Sequence, residues 1–222
     1  MHKYHMKKYF FLLLAMLMGL SVAAQTPHEI LEKMSRAMDH DKSVGMAMTM
    51  DMKIPILGTY STRTYTLGNK MRMEVTAKGK KGIVWEDGNI AYSYDASKNT
   101  ITITEFKAQG GGGESSEDDD GLGMALSVTK GYDVKLLQET DDFWEFRCNK
   151  RKDNTDKDAP KQIDLSVQKG SYFLREMKTS MKGVSVTMRD FSFDVNKEDV
   201  TFGINKYKDA RIVDKRGEEK KK

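Results

Sequence analysis

From Val44 onward, apolar and polar residues alternate with a period of two, in short runs cut by Gly-Asn, Lys-Gly and Asp-Gly pairs. That pattern predicts half-buried antiparallel strands joined by tight turns. It is clearest from Lys81 to Phe106, KGIVWEDGNIAYSYDASKNTITITEF. A turn at Asp87-Gly88 pairs Glu86 with Asn89, Trp85 with Ile90 and Ile83 with Tyr92, because a type I′ loop needs positive φ and glycine supplies it. A second turn over Ala96, Ser97, Lys98 and Asn99 pairs Tyr94 with Ile101 and Tyr92 with Ile103. Ile83, Trp85, Ile90, Tyr92, Tyr94, Ile101 and Ile103 then share one face. Val84, Ala91, Ser93, Thr100, Thr102 and Thr104 take the other, so the sheet has one aromatic, apolar face and one wet face.

The remaining strands read the same way. Val44 to Met52 places Met46, Met48, Met50 and Met52 opposite Gly45, Ala47, Thr49 and Asp51; Ile54-Pro55 ends it and Gly58 marks the turn. Tyr60 to Leu67 and Lys70 to Val75 follow across Gly68-Asn69, with Met71, Met73 and Val75 continuing the apolar face, and Lys78 to Gly82 is a turn. Further on come Tyr132 to Leu136, Phe143 to Cys148 with Trp144, Phe146 and Cys148 on one side, and a strand alternating at Ile163, Leu165 and Val167. Tyr172 to Met181 pairs with Val184 to Phe193 across Lys182-Gly183. The 3.6-residue period appears near the start, where Thr26-Pro27-His28-Glu29 is a capping box with proline at the first helical position. Ile30, Leu31, Met34, Ala37 and Met38 form its apolar stripe, and Glu32, Lys33, Arg36 and Asp39 face water. A second, short helix over Leu122 to Lys130 carries Leu122, Met124 and Leu126. Residues 107–121, KAQGGGGESSEDDDG, form a low-complexity insert of composition that buries nothing.

Residues 1–24 change the charge picture. Lys3, Lys7 and Lys8, an apolar run from Phe10 to Leu20, and Val22-Ala23-Ala24 fit an export signal cleaved near Ala24. The apolar run is shorter than the roughly 18–20 residues of a membrane span, and Met6 is an alternative start. No cysteine follows the cleavage site, so a soluble, periplasmic protein is expected. The formal charge of +4 loses three lysines and no acids with the leader, leaving about +1, which removes the main support for nucleic-acid binding. The expected domains are the leader 1–24, one β-rich domain over 25–206, and a charged, frayed tail over 207–222. A single cysteine, Cys148, excludes an intramolecular disulfide.

Catalytic chemistry is poorly supplied. Only His28 and His40 lie outside the leader, both at the first helix; no Gly-x-Ser-x-Gly elbow occurs, and Cys148 sits mid-strand. The insert lacks the spacing of a calcium loop and the Gly-Lys-Ser/Thr of a P-loop. Clustered His or Cys ligands are absent from the sequence, and thioethers two apart on a strand lie about 6.5 Å from each other, too far to grip one copper(I) ion unaided. The expectation is no enzyme, no cofactor and no metal. Four of the sixteen methionines are in the leader, which leaves twelve. They serve either an ordinary core or a cavity for variable apolar ligands, to which the unbranched thioether adapts.

Ile83, Val84, Asp87, Gly88, Tyr94 and Asp95, followed by the alternating strand 100–106, resemble the outer-membrane lipoprotein carrier (LolA-like) family. The first helix, the strand Tyr132 to Leu136 and the run Phe191-Ser192-Phe193 before Val200-Thr201-Phe202 resemble it too, so the likeness spans about 27–204. The resemblance implies a mostly β (α+β) fold: an unclosed, curved antiparallel β-barrel with an N-terminal helix and a short helix covering a hydrophobic concave face. It implies a periplasmic carrier of acylated lipoprotein or other lipid-like cargo, a monomer, with an inner-membrane donor and an outer-membrane acceptor. The alternative is a non-enzymatic envelope sensor or protein-interaction module on the same fold. The expected cargo face is Met46, Met48, Met50, Met71, Met73, Ile83, Trp85, Ile90, Tyr92, Tyr94, Ile101 and Ile103. Ile30, Met34, Met38, Leu122, Met124 and Leu126 would cover it. The family's Arg-Pro near the start of the third strand, whose arginine holds the covering helices shut, is missing from Leu67 to Met71; Arg63 and Arg72 stand nearby.

Overall fold

The computed structural model describes residues 25–40, 43–105 and 130–217. Helix α1 (Pro27–Met38) precedes strands β1 (Gly45–Ile54), β2 (Gly58–Leu67), β3 (Lys70–Ala77), β4 (Lys80–Asp87), β5 (Ile90–Asp95) and β6 (Thr100–Glu105). The chain resumes with β7 (Tyr132–Glu139), β8 (Phe143–Lys150), β9 (Gln162–Gln168), β10 (Leu174–Met181) and β11 (Val184–Val195). It ends through α2 (Lys197–Val200), a 3₁₀ turn (Ile204–Tyr207) and β12 (Arg211–Asp214). All twelve strands lie in one open sheet, ordered β12-β6-β5-β4-β3-β2-β1-β11-β10-β9-β8-β7. Sequential hairpins build two half-sheets, and the pairing of β1 with β11 joins them. The mostly β, unclosed, curved sheet of the sequence reading is therefore the observed fold.

Helix α1 starts as its capping box requires. Thr26 Oγ1 accepts from the Glu29 amide at 3.2 Å, and the Glu29 carboxylate accepts from the Thr26 amide at 2.9 Å. Ile30, Leu31, Met34 and Met38 are buried against Tyr132, Trp144, Phe146, Cys148, Ile163, Leu165, Val167, Leu174, Met177 and Met188. This core belongs to the β7–β11 half of the sheet. The α1 N-terminus is tied there by Gln25 Nε2, which donates to Tyr172 Oη at 3.1 Å, and by Lys33, whose Nζ sits 5.1 Å from the Tyr172 ring centroid.

One turn and the tail differ from the sequence reading. The β4–β5 loop is Gly88-Asn89, one residue later than Asp87-Gly88, so Trp85 pairs with Tyr92 and Ile83 with Tyr94. Gly88 has φ +63° and stands first of the two loop residues, the position where a type II′ turn needs glycine. The slip changes partners by two and leaves every side chain on its expected face. Tyr94 pairs with Ile101 and Tyr92 with Ile103 as expected. The second correction concerns the tail: residues 211–214 are strand β12, parallel to β6, where a frayed end was expected. Asn99 anchors it, its Nδ2 donating to the Asp209 carbonyl at 2.9 Å and its own carbonyl accepting from the Arg211 amide at 2.9 Å.

Candidate functional site

Cross-strand partners share a face, so the register sorts the expected site residues. One row runs Met46, Thr66, Met71, Glu86, Ala91, Thr104; the next runs Met48, Thr64, Met73, Val84, Ser93, Thr102. A third row starts at Met50 and Thr62 and continues in the other direction through Met188, Met177, Leu165 and Phe146. The methionine face is thus the face that α1 covers, and it includes Thr100, Thr102 and Thr104, which the sequence reading placed opposite the helix.

The aromatic residues go to the other side. Ala47, Tyr65, Arg72, Trp85, Tyr92 and Ile103 form one row, and Thr49, Arg63, Glu74, Ile83, Tyr94 and Ile101 the next; Ile90 follows the same parity. The expected single face of Met46, Met48, Met50, Met71 and Met73 with Ile83, Trp85, Ile90, Tyr92, Tyr94, Ile101 and Ile103 is therefore corrected to two faces. The cause is the β3–β4 turn. Lys78 and Gly79 both have positive φ and make a two-residue loop, so odd-numbered residues of β3 pair with even-numbered ones of β4. Reading that turn as the longer stretch Lys78 to Gly82 left the parity open.

The chain's own C-terminal segment occupies the aromatic face. Phe202 stacks on Tyr92 with centroids 4.2 Å apart and meets Trp85 edge-on at 5.2 Å. Tyr207 lies 5.6 Å from Trp85 and 4.6 Å from Tyr94. Trp85, Ile101 and Val200 are buried there. Arg63 Nη1 donates to the Asp190 carbonyl at 2.6 Å, at a bulge in β11, and Arg72 Nη1 donates to the Asp199 carbonyl at 3.2 Å. Tyr65 lies within 5.4 Å of the first guanidinium and 4.8 Å of the second. Arg72 thus holds the C-terminal segment and Arg63 the bulge of β11, roles the sequence reading did not find. Phe202 and Tyr207 were the available signal.

On the methionine face the two halves differ. The β7–β11 half is sealed by α1, and Met50 packs against the edge of that core. Met46, Met48, Met71, Met73, Val75 and Val84 remain half-buried, as do Thr64, Thr66, Thr102 and Thr104, while Thr62 is buried. Glu86 sits in the same field, and burial lifts its carboxyl above the ordinary value. Leu122, Met124 and Leu126 lie outside the described residues, as do the insert and the leader. Elsewhere, a polar groove of about 850 Å³ opens at the ends of β9–β11, lined by Lys157, Asp158, Lys161, Lys178 and Lys182 among others. Among the described residues, no group of His, Cys, Asp or Glu is arranged to hold a metal ion, and no helix is long and apolar enough to cross a membrane.

No protein-family profile matches the chain, and no curated protein does. Solved structures do. An uncharacterised conserved protein from Thermus thermophilus is 14% identical over 86% of this chain and 99% of its own, with a TM-score of 0.41. A LolA superfamily protein from Nitrosomonas europaea is 13% identical over 81% and 99%, at 0.32. The lipoprotein LppX from Mycobacterium tuberculosis is 11% identical over 79% and 98%, at 0.49. The named proteins among these three are thus a LolA superfamily protein and LppX, each similar to this chain at low identity.

Proposed function

We propose that this chain is an exported, non-enzymatic binding protein that carries an acylated or otherwise lipid-like molecule on the open half of its methionine face. The observation that carries the reading is the contrast across one continuous face. Met177 of β10 and Met188 of β11 are buried in the core that α1 caps, whereas Met46, Met48, Met71 and Met73 are half-buried in a field of threonine and valine. Thioethers adapt to ligands of differing shape, and each CH₂ removed from water contributes about 0.8 kcal/mol. A single acyl chain laid along these rows therefore binds without any specific polar contact. The aromatic face is not part of this site, because Phe202 and Tyr207 already fill it. In this reading the chain works in the periplasm, taking cargo from an inner-membrane donor and passing it to an outer-membrane acceptor.

Titration with a fluorescent fatty acid tests the proposal. Met48→Glu and Met73→Glu should each weaken binding by at least about tenfold, the scale expected for a charge placed against an acyl chain. Trp85→Phe, on the opposite face, should leave it unchanged. Equal affinity in all three variants would refute the site, and a native preparation free of lipid by mass spectrometry would argue for the sensor or interaction module instead.

A further inference from the structure

The β1–β2 hairpin ends in Ile54-Pro55-Ile56-Leu57-Gly58. Ile56 is 105% exposed and Leu57 48% exposed. Ile56 also has φ +69°, in the left-handed region that a β-branched residue avoids. Asparagine or glycine there would remove both the strain and the exposed apolar surface. The neighbouring tight turns do place glycine at left-handed positions, in Lys78-Gly79 and Lys182-Gly183. A strained, fully exposed isoleucine points to a role outside the fold.

The strand order gives this tip its surroundings. The β3–β4 and β10–β11 hairpins emerge at the same end of the sheet, one on each side, each centred about two strand spacings, or roughly 10 Å, away. They bring Lys78, Lys80 and Lys81 on one flank and Lys182 on the other, and Lys53 precedes the tip; all five are exposed. Lys182 meets Asp158 at 3.1 Å, but with both side chains more than three-quarters exposed the pair is readily exchanged for another anion. Lys157 and Lys161 line the groove beside Lys182 and extend the basic border.

We infer that this end of the sheet docks on an anionic lipid bilayer, with Ile56 and Leu57 entering the interface and the flanking lysines lying against the headgroups. An apolar tip bordered by long basic side chains is matched to that boundary: the alkyl stems follow the tip inward while the ammonium groups stay at the phosphates. The inference does not rest on the cargo reading, because the tip lies at the end of the sheet and the methionine rows on its face.

Vesicle flotation of the chain as recovered from cells tests it, using phosphatidylcholine alone and phosphatidylcholine with about one third phosphatidylglycerol. The protein should float with the anionic vesicles, far less with the neutral ones, and less as salt rises. Ile56→Asn with Leu57→Ser should lower binding about tenfold or more without lowering the melting temperature, since asparagine tolerates positive φ. Replacing Lys78, Lys80 and Lys81 by glutamine should remove the preference for anionic vesicles. An environment-sensitive dye on Leu57→Cys should shift to the blue on docking, Cys148 being buried and unlabelled. Met48→Glu should dock like the unaltered chain even where it fails to bind fatty acid. Absence of flotation, full binding by the hairpin double variant, or a dye that stays in water would each overturn the inference.

Discussion

Cys148 and Glu86 show how burial acts on single groups. Cys148 is fully buried in the α1 core, and burial pushes its thiol up to about 12. Thiol reagents at pH 8 should therefore modify the native protein only as fast as it unfolds; rapid labelling would mean that the β8–β9 core opens. Glu86 is raised for the same cause, on a face of methionine and threonine. A carboxyl with a raised native pKa holds its proton more tightly folded than unfolded. The native state therefore loses relative stability as pH climbs from the ordinary carboxylate value to the raised one, and does not regain it above. Glu86→Gln should raise the melting temperature at pH 7 and leave it unchanged near pH 3. A fall at pH 7 would show that the carboxylate makes a favourable contact when charged. Asp51 runs the other way: Ser61 hydrogen bonding and the Arg189 guanidinium hold it low, so its contribution is present above the ordinary carboxylate pKa and fades as pH drops through the depressed value.

Among the elements, α1 was legible almost residue by residue. Its cap is local, and its stripe of Ile30, Leu31, Met34 and Met38 needs no knowledge of the partner surface. Burying those four contributes about 6–12 kcal/mol, an upper bound, so α1 should act as a fixed brace. Met34→Ala should cost about 2–5 kcal/mol and Thr26→Ala about 1 kcal/mol, read by denaturant melts, and amides 29–38 should exchange slowly. The alternation in each strand was equally legible. What alternation cannot say is which face of one strand continues which face of the next. That depends on whether a loop such as Lys78-Gly79 holds two residues or more, and it sent the aromatic and methionine residues to opposite sides. The C-terminal segment was missed for a related reason: its anchors, Phe202 and Tyr207, are sparse in a charged stretch. Ending the chain at Gly203 should lower the melting temperature and shift Trp85 emission to the red, because Tyr207 and β12 leave with it. Unchanged emission would mean that Phe202 alone shields the indole.

At the scale of the whole molecule, the C-terminal segment and α1 lie on opposite faces and opposite halves of one sheet, each building a core where the other is absent. That division leaves the β1–β6 half of the methionine face half-exposed beside a sealed one, and it could not be read from the chain because it follows from sheet order. The same order has a consequence for how the protein reaches its folded state. Hairpins β2 through β6 and β7 through β11 need only near neighbours in sequence, but the seam Met50–Met188 joins residues separated by most of the chain. Contacts of that separation make folding slow, in the millisecond-to-second range. The two half-sheets can zip early, while each still presents an unpaired edge at β1 or β11. Until almost the last strand has been synthesised, the middle of the sheet does not exist.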